Sequence, residues 1–132
     1  SYSVECAFQA SKVFRHGGPF VDLLNVSSRA AKIDRRLRKS GELVGFKYFA
    51  DEFPLEPKTY FYDWLYASAL CRDEKLVEQV MMFDAFTDIE YNPERSINCQ
   101  ARSVAKVVSL ARAGLLTDAL QSPQAFLELG YH

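Results

Sequence analysis

The stretch Ser3-Val4-Glu5-Cys6-Ala7-Phe8-Gln9-Ala10-Ser11-Lys12-Val13-Phe14 sets the reading of the whole chain. Val4, Ala7, Phe8, Ser11 and Phe14 recur at i, i+3, i+4, i+7 and i+10, which is one stripe of a helix, and His16-Gly17-Gly18-Pro19 cannot continue it. The spacing predicts a helix from about Ser3 to Arg15. Ser27 and Ser28 can cap a second helix that runs to about Lys39 and stops at Ser40-Gly41. Leu43 to Phe49 is aromatic and partly β-branched, which fits either a short strand or an extended connection. Pro57 suits the first position of a helix to about Cys71, in which Phe61, Trp64, Leu65 and Ala69 recur at helical spacing.

The second half continues in the same manner. Asp73 caps a predicted helix to about Phe83, and Phe86 to Tyr91 alternates like a short strand closed by Asn92-Pro93. Asn98 opens the longest helical pattern, through Ala101, Ala105, Val108 and Ala111, with Gly114 as its stop. Ser122-Pro123 begins a last helix with a cap and a Pro at its first position. The sum is a mainly α fold: a single compact helical domain over residues 1–132 with one or two short β-strands.

Composition narrows the function classes. Lys+Arg 16 against Asp+Glu 17 gives a formal net charge of -1, which excludes a broad polycationic nucleic-acid surface and leaves only local contacts. Hydrophobic content of 48% with 25% charged residues excludes intrinsic disorder. The apolar runs fall far short of the roughly 20 residues of a membrane span, and the first residues are not a charged-then-apolar leader. A cytoplasmic protein is expected. No initiating Met is present, which leaves a longer native chain open. Cys6, Cys71 and Cys99 are odd in number and widely separated, and read as reduced, mostly buried thiols. His16 and His132 have no second ligand at metal spacing, so neither a metal nor a cofactor is expected. The motifs of serine hydrolases, P-loop enzymes and dinucleotide folds are absent.

Three constellations can carry chemistry. On a helical wheel Glu5, Gln9 and Lys12 share one border of the apolar face, so an acid, an amide and an amine would line a pocket wall as acid/base, binding group and nucleophile or anion anchor. Spacing alone more often means a solvated acid and amine flanking a core helix. Trp64 sits among Tyr60, Phe61, Tyr62 and Tyr66, most of them core, with one able to stack on a base or sugar. Asp88 and Glu90 share a strand face, and Asn98, Gln100 and Arg102 open an apolar helix whose free N–H groups suit a phosphate; simple capping with a surface ion pair is the competing reading. The cations from Arg29 to Lys39 lie on different helix faces and read as solvated.

Val4-Glu5 followed by Phe8-Gln9-Ala10 and Lys12 resembles the motif VE-x-x-[YF]-Q-A-x-K-F of the NADAR (YbiA-like) family, with Val13 where the motif has Phe. Trp64, Asp88-Ile89-Glu90 and Ser96 to Arg102 are similar to later blocks of that family, and the likeness is strongest to the branch found with DarT-type ADP-ribosyltransferase toxins. The family's usual Trp-Gly after the acidic block is absent, and the aromatic segment that commonly precedes the VE motif is missing or cut away. The resemblance implies an N-glycosidase that removes ADP-ribose from guanine bases of nucleic acid, with ADP-ribose as product and a cognate DarT-type toxin as partner, in the role of antitoxin or phage-borne counter to one. It places the catalytic roles on Glu5 and Lys12, and substrate binding on Gln9, Trp64, Asp88, Glu90, Asn98, Gln100 and Arg102. An N-glycosidase for a riboflavin-pathway intermediate, or a helical domain that holds ADP-ribose or a toxin without turnover, are the alternatives.

Overall fold

The computed structural model describes residues 2–72, 75, 78 and 99–131. The chain divides into two compact units, residues 1–61 and 62–132. In the first, Ser3 caps helix α1 (Val4–Ala10) by accepting the Cys6 N–H, and the helix ends at Ser11 rather than at Arg15. The chain turns directly into strand β1 (Lys12–Phe14), a correction to the helix expected there. Val13 and Phe14 favour extended backbone, and the ladder they form supplies hydrogen bonds that a longer helix would have made internally. That ladder pairs Lys12 with Phe46 and Val13 with Gly45 of β2 (Leu43–Tyr48), the segment expected to be extended. A two-residue loop leads into β3 (Asp51–Phe53), an unexpected strand, and the antiparallel sheet has the order β1-β2-β3. Helices with a three-stranded sheet make the fold mixed α/β rather than mainly α.

The predicted helix to Lys39 is two short ones. A 3-10 turn (Val21–Asn25) precedes α2 (Ser28–Ile33), capped by Ser27, and α3 (Arg36–Lys39) follows. The break is at Asp34, whose ψ of 132° leaves the helical range while its carboxylate accepts the backbone N–H and side-chain Nε of Arg36. Arg36 also reaches Asp22 at 2.6 Å and lies 4.6 Å from the Phe20 ring centroid, so one of the expected solvated cations is engaged. Arg29, Lys32, Arg35, Arg38 and Lys39 are exposed, as expected of a solvated face. Cys6, Ala10, Leu23 and Ala31 form the core beneath α1 and α2. A second cluster, of Phe46, Phe53 and Phe61, holds the sheet, with ring centroids 4.7 Å apart in the Phe46–Phe61 and Phe53–Phe61 pairs.

Helix α4 (Tyr60–Leu70) spans the boundary between the units. It begins three residues after Pro57, whose carbonyl accepts the Tyr60 N–H, so Pro57 is not its first helical residue. In the second unit α5 (Cys99–Arg112) carries Val104, Val107 and Val108 inward, while Ala105, assigned to the apolar stripe by spacing, is exposed. Gly114, at φ 75°, follows as expected. A short α6 (Leu116–Ala119) precedes α7 (Pro123–Gly130), which begins with the expected Ser122 cap and Pro123. Buried Asp63 accepts hydrogen bonds from the Ser103 hydroxyl at 2.7 Å and the Tyr131 hydroxyl at 2.6 Å, tying α4, α5 and the end of α7 together. The predicted helix from Asp73 and the strand Phe86 to Tyr91 lie outside the described residues. Among the described residues no helix is long and apolar enough to cross a membrane. Cys6 and Cys71 are free thiols; Cys6 is buried, whereas Cys71 is half-buried and its thiol is pushed up by that burial.

Candidate functional site

Glu5 lies in the first turn of α1 and Gln9 one turn on, so both side chains project from one side of the helix. The Gln9 amide donates from Nε2 to Glu5 Oε1 at 3.0 Å. Gln9 is buried, and its own Oε1 has no hydrogen-bond partner among the described residues. A buried carbonyl without a donor costs free energy, and its remaining lone pairs suit a hydroxyl or amine brought in by a ligand.

Lys12 reaches this pair by a different route from the one its spacing suggests. The helical stripe Glu5-Gln9-Lys12 does not exist, because α1 ends two residues before Lys12 and the amine is delivered by β1. The β1 backbone at Lys12 is pressed by Gly18, at φ 93°, where any Cβ would run into the Lys12 carbonyl. That close approach and the positive φ both require glycine. The Lys12 ammonium lies 5.1 Å from the Phe8 ring centroid. Burial lowers its pKa below the ordinary lysine value, against the opposing pull of the Glu5 charge. The Gln9–Glu5 contact is direct, and the Lys12 amine, carried by β1 rather than by a helical stripe, lies within electrostatic reach of Glu5.

Sequence reasoning missed the aromatic wall behind them. Phe8 packs 5.4 Å from Phe46 and 6.0 Å from Phe61, and Tyr48 stands 6.2 Å from Phe61 with its hydroxyl bonded to that of Tyr2. The available signal was the period of two in β2, which sends Phe46 and Tyr48 to the same face of the sheet. An acid held by one amide and an amine that gives up its proton more readily, against apolar rings, can deliver or remove a proton, balance a developing positive centre and attack a carbonyl carbon.

The other sequence-predicted residues belong to the second unit. Trp64 is half-buried, with its ring edge-on to Phe126 at 5.7 Å. Gln100 lies in the first turn of α5, and Arg102 follows it with a buried Nε that has no acceptor among the described residues. Asp88, Glu90 and Asn98 lie outside the described residues. Among those described, no group of three or more His, Cys, Asp or Glu side chains is arranged to hold a metal ion.

A family model described as the DarT1-associated NADAR antitoxin matches residues 1–132. Comparison with curated proteins gives no match.

Proposed function

The chain belongs to the family of DarT1-associated NADAR antitoxins, and from that membership we propose that it is an N-glycosidase that removes ADP-ribose from guanine bases of nucleic acid. The reading takes residues 1–132 as one working domain, opposed to a DarT-type toxin. The observation that carries it is the hydrogen-bonded Gln9–Glu5 pair together with a desolvated Lys12 amine that lies by the Phe8 ring and feels the Glu5 charge.

The bond to be broken joins the anomeric carbon of ADP-ribose to the exocyclic amine of guanine. Cleavage requires a proton on the leaving nitrogen and compensation of positive charge at the anomeric carbon. Glu5 supplies both, as a proton carrier and as a fixed carboxylate oriented by Gln9. The lowered pKa of Lys12 increases its neutral fraction, which favours a nucleophilic role. Once the ribose ring opens to an imine on the guanine nitrogen, the Lys12 amine adds to the anomeric carbon, guanine leaves with its proton, and water hydrolyses the Lys12 imine to ADP-ribose and free amine. Gln9 Oε1 accepts from a ribose hydroxyl, and the family resemblance assigns Trp64, Asp88, Glu90, Asn98, Gln100 and Arg102 to substrate binding, the guanidinium of Arg102 being suited to a diphosphate.

The test is incubation with guanine-ADP-ribosylated DNA or RNA, and separately with small N-ribosides, reading released ADP-ribose and base by chromatography. Release from the guanine-ADP-ribosylated nucleic acid supports the proposal; release only from small N-ribosides that carry no ADP-ribosylated guanine, or binding without release, overturns it. Glu5→Gln should retain the circular dichroism of the wild type while release falls at least about a hundredfold, since the amide cannot carry the proton.

A further inference from the structure

A cavity of about 230 Å³ opens in the first unit, lined by Ala10, Ser11, Val21, Lys47 and Phe49 among others. None of the groups assigned to the reaction lines it. Its rim breaks two local rules at once. Phe49 is the first residue of the two-residue loop between β2 and β3, and it holds φ 55°, a conformation that suits glycine and strains a bulky side chain. It is also 66% exposed, beside Val21 at 60%, so two apolar side chains of one cavity face water together. Single exposed apolar residues need no explanation, but a strained aromatic that shares its exposure with a neighbour across a cavity does.

The charge beside the cavity indicates its occupant. Lys47 is the cation among the lining residues, and one amine matches the single negative charge of a phosphodiester rather than the two of a diphosphate. Along the chain the cavity adjoins a reacting group: Ser11 lines it, Lys12 is the next residue, and the Lys47 N–H donates to the Ser11 carbonyl at 2.8 Å. We infer that this cavity is a subsite for the nucleotide next to the modified guanine, its unpaired base stacked on Phe49 and its phosphodiester met by Lys47. The inference rests on the proposed nucleic-acid substrate and makes it a single strand at that point, because a paired base cannot stack on a side chain.

The experiment is a fluorescence-anisotropy titration of the full chain with a fluorescein-labelled single-stranded oligothymidylate, paired with turnover on ADP-ribosylguanosine and on an ADP-ribosylated oligonucleotide. Phe49→Gly should weaken oligothymidylate binding about tenfold, the size of one lost base stack. It should leave Tm unchanged or higher, since glycine relieves the positive φ, so misfolding cannot imitate the result. Lys47→Ala should weaken binding and flatten the dependence of log affinity on log salt by roughly 0.7, the contribution of one phosphate. With Phe49→Gly, KM should rise about tenfold for the oligonucleotide and stay unchanged for ADP-ribosylguanosine. Equal oligothymidylate affinity in Phe49→Gly and wild type overturns the subsite. Hydrolysis whose KM ignores Phe49 leaves the N-glycosidase standing without the subsite. Phe49-dependent strand binding with no hydrolysis of either substrate leaves the subsite standing without the N-glycosidase.

Discussion

Gln9 and Glu5, one helical turn apart, are joined by a 3.0 Å hydrogen bond from Nε2 to Oε1, while the other polar atom of the same amide, Gln9 Oε1, is buried without a partner among the described residues. The amide thus fixes the acid on one side and keeps an acceptor open on the other. A side chain selected for stability alone would satisfy both ends or be apolar, because an orphaned buried acceptor costs about 1–3 kcal/mol.

Gln9→Leu, which keeps the volume and removes both polar atoms, should therefore separate the two effects. Thermal unfolding is expected at the wild-type Tm or above it. Turnover should fall by about tenfold or more, as the carboxylate loses its orientation and the substrate loses one acceptor. Wild-type turnover would exclude Gln9 from positioning Glu5.

Lys12 gives a second prediction, with a sign that can be worked out. Its folded pKa lies below the ordinary lysine value, so the folded state holds the charged form less well than the unfolded chain does. The resulting loss of stability is complete below the folded pKa and disappears as pH rises past the unfolded one. Lys12→Met should then unfold at the same or a higher Tm near neutral pH, with the gain shrinking toward alkaline pH, while losing turnover. Borohydride added during turnover of the wild type should leave a reduced ADP-ribosyl adduct on Lys12, located by mass spectrometry. Lost turnover without an adduct would reassign Lys12 to anchoring the ribose or a phosphate.

How far the sequence could be read depended on whether a feature was local. The Ser122 cap with Pro123 and Gly114 beyond the end of α5 are decided by neighbours within one turn, and they stand where spacing put them. The end of α1 is decided by β2, some thirty residues away, which pairs with β1 and outcompetes another turn of helix. Ser11 and Phe14 continue the helical stripe by coincidence of spacing, and Phe14 is buried from a strand instead. Strand β3 was hidden because its turn, Phe49-Ala50, lacks the Asn or Gly that marks such loops. The site followed the same division. The i, i+4 contact of Glu5 with Gln9 was legible, whereas the rings of Phe46 and Phe61 behind Phe8 come from distant segments and left no periodic trace beside the motif.

The last prediction concerns Arg102 in the second unit. Arg102 lies in the first described turn of α5. Its Nε is buried and lacks an acceptor among the described residues, so it is a donor already desolvated before a ligand arrives. A phosphate oxygen that accepts from it gains a charge-assisted hydrogen bond worth about 1.5–3 kcal/mol, or roughly ten- to hundredfold in affinity. Arg102→Ala should weaken ADP-ribose binding by that factor in a calorimetric titration. Burial shields the contact from counterions, so the loss should persist at high salt, whereas a contact made at the exposed surface would fade. An unchanged dissociation constant would remove Arg102 from the diphosphate site and direct the search to the exposed cations of α2 and α3, Arg29, Lys32, Arg35, Arg38 and Lys39.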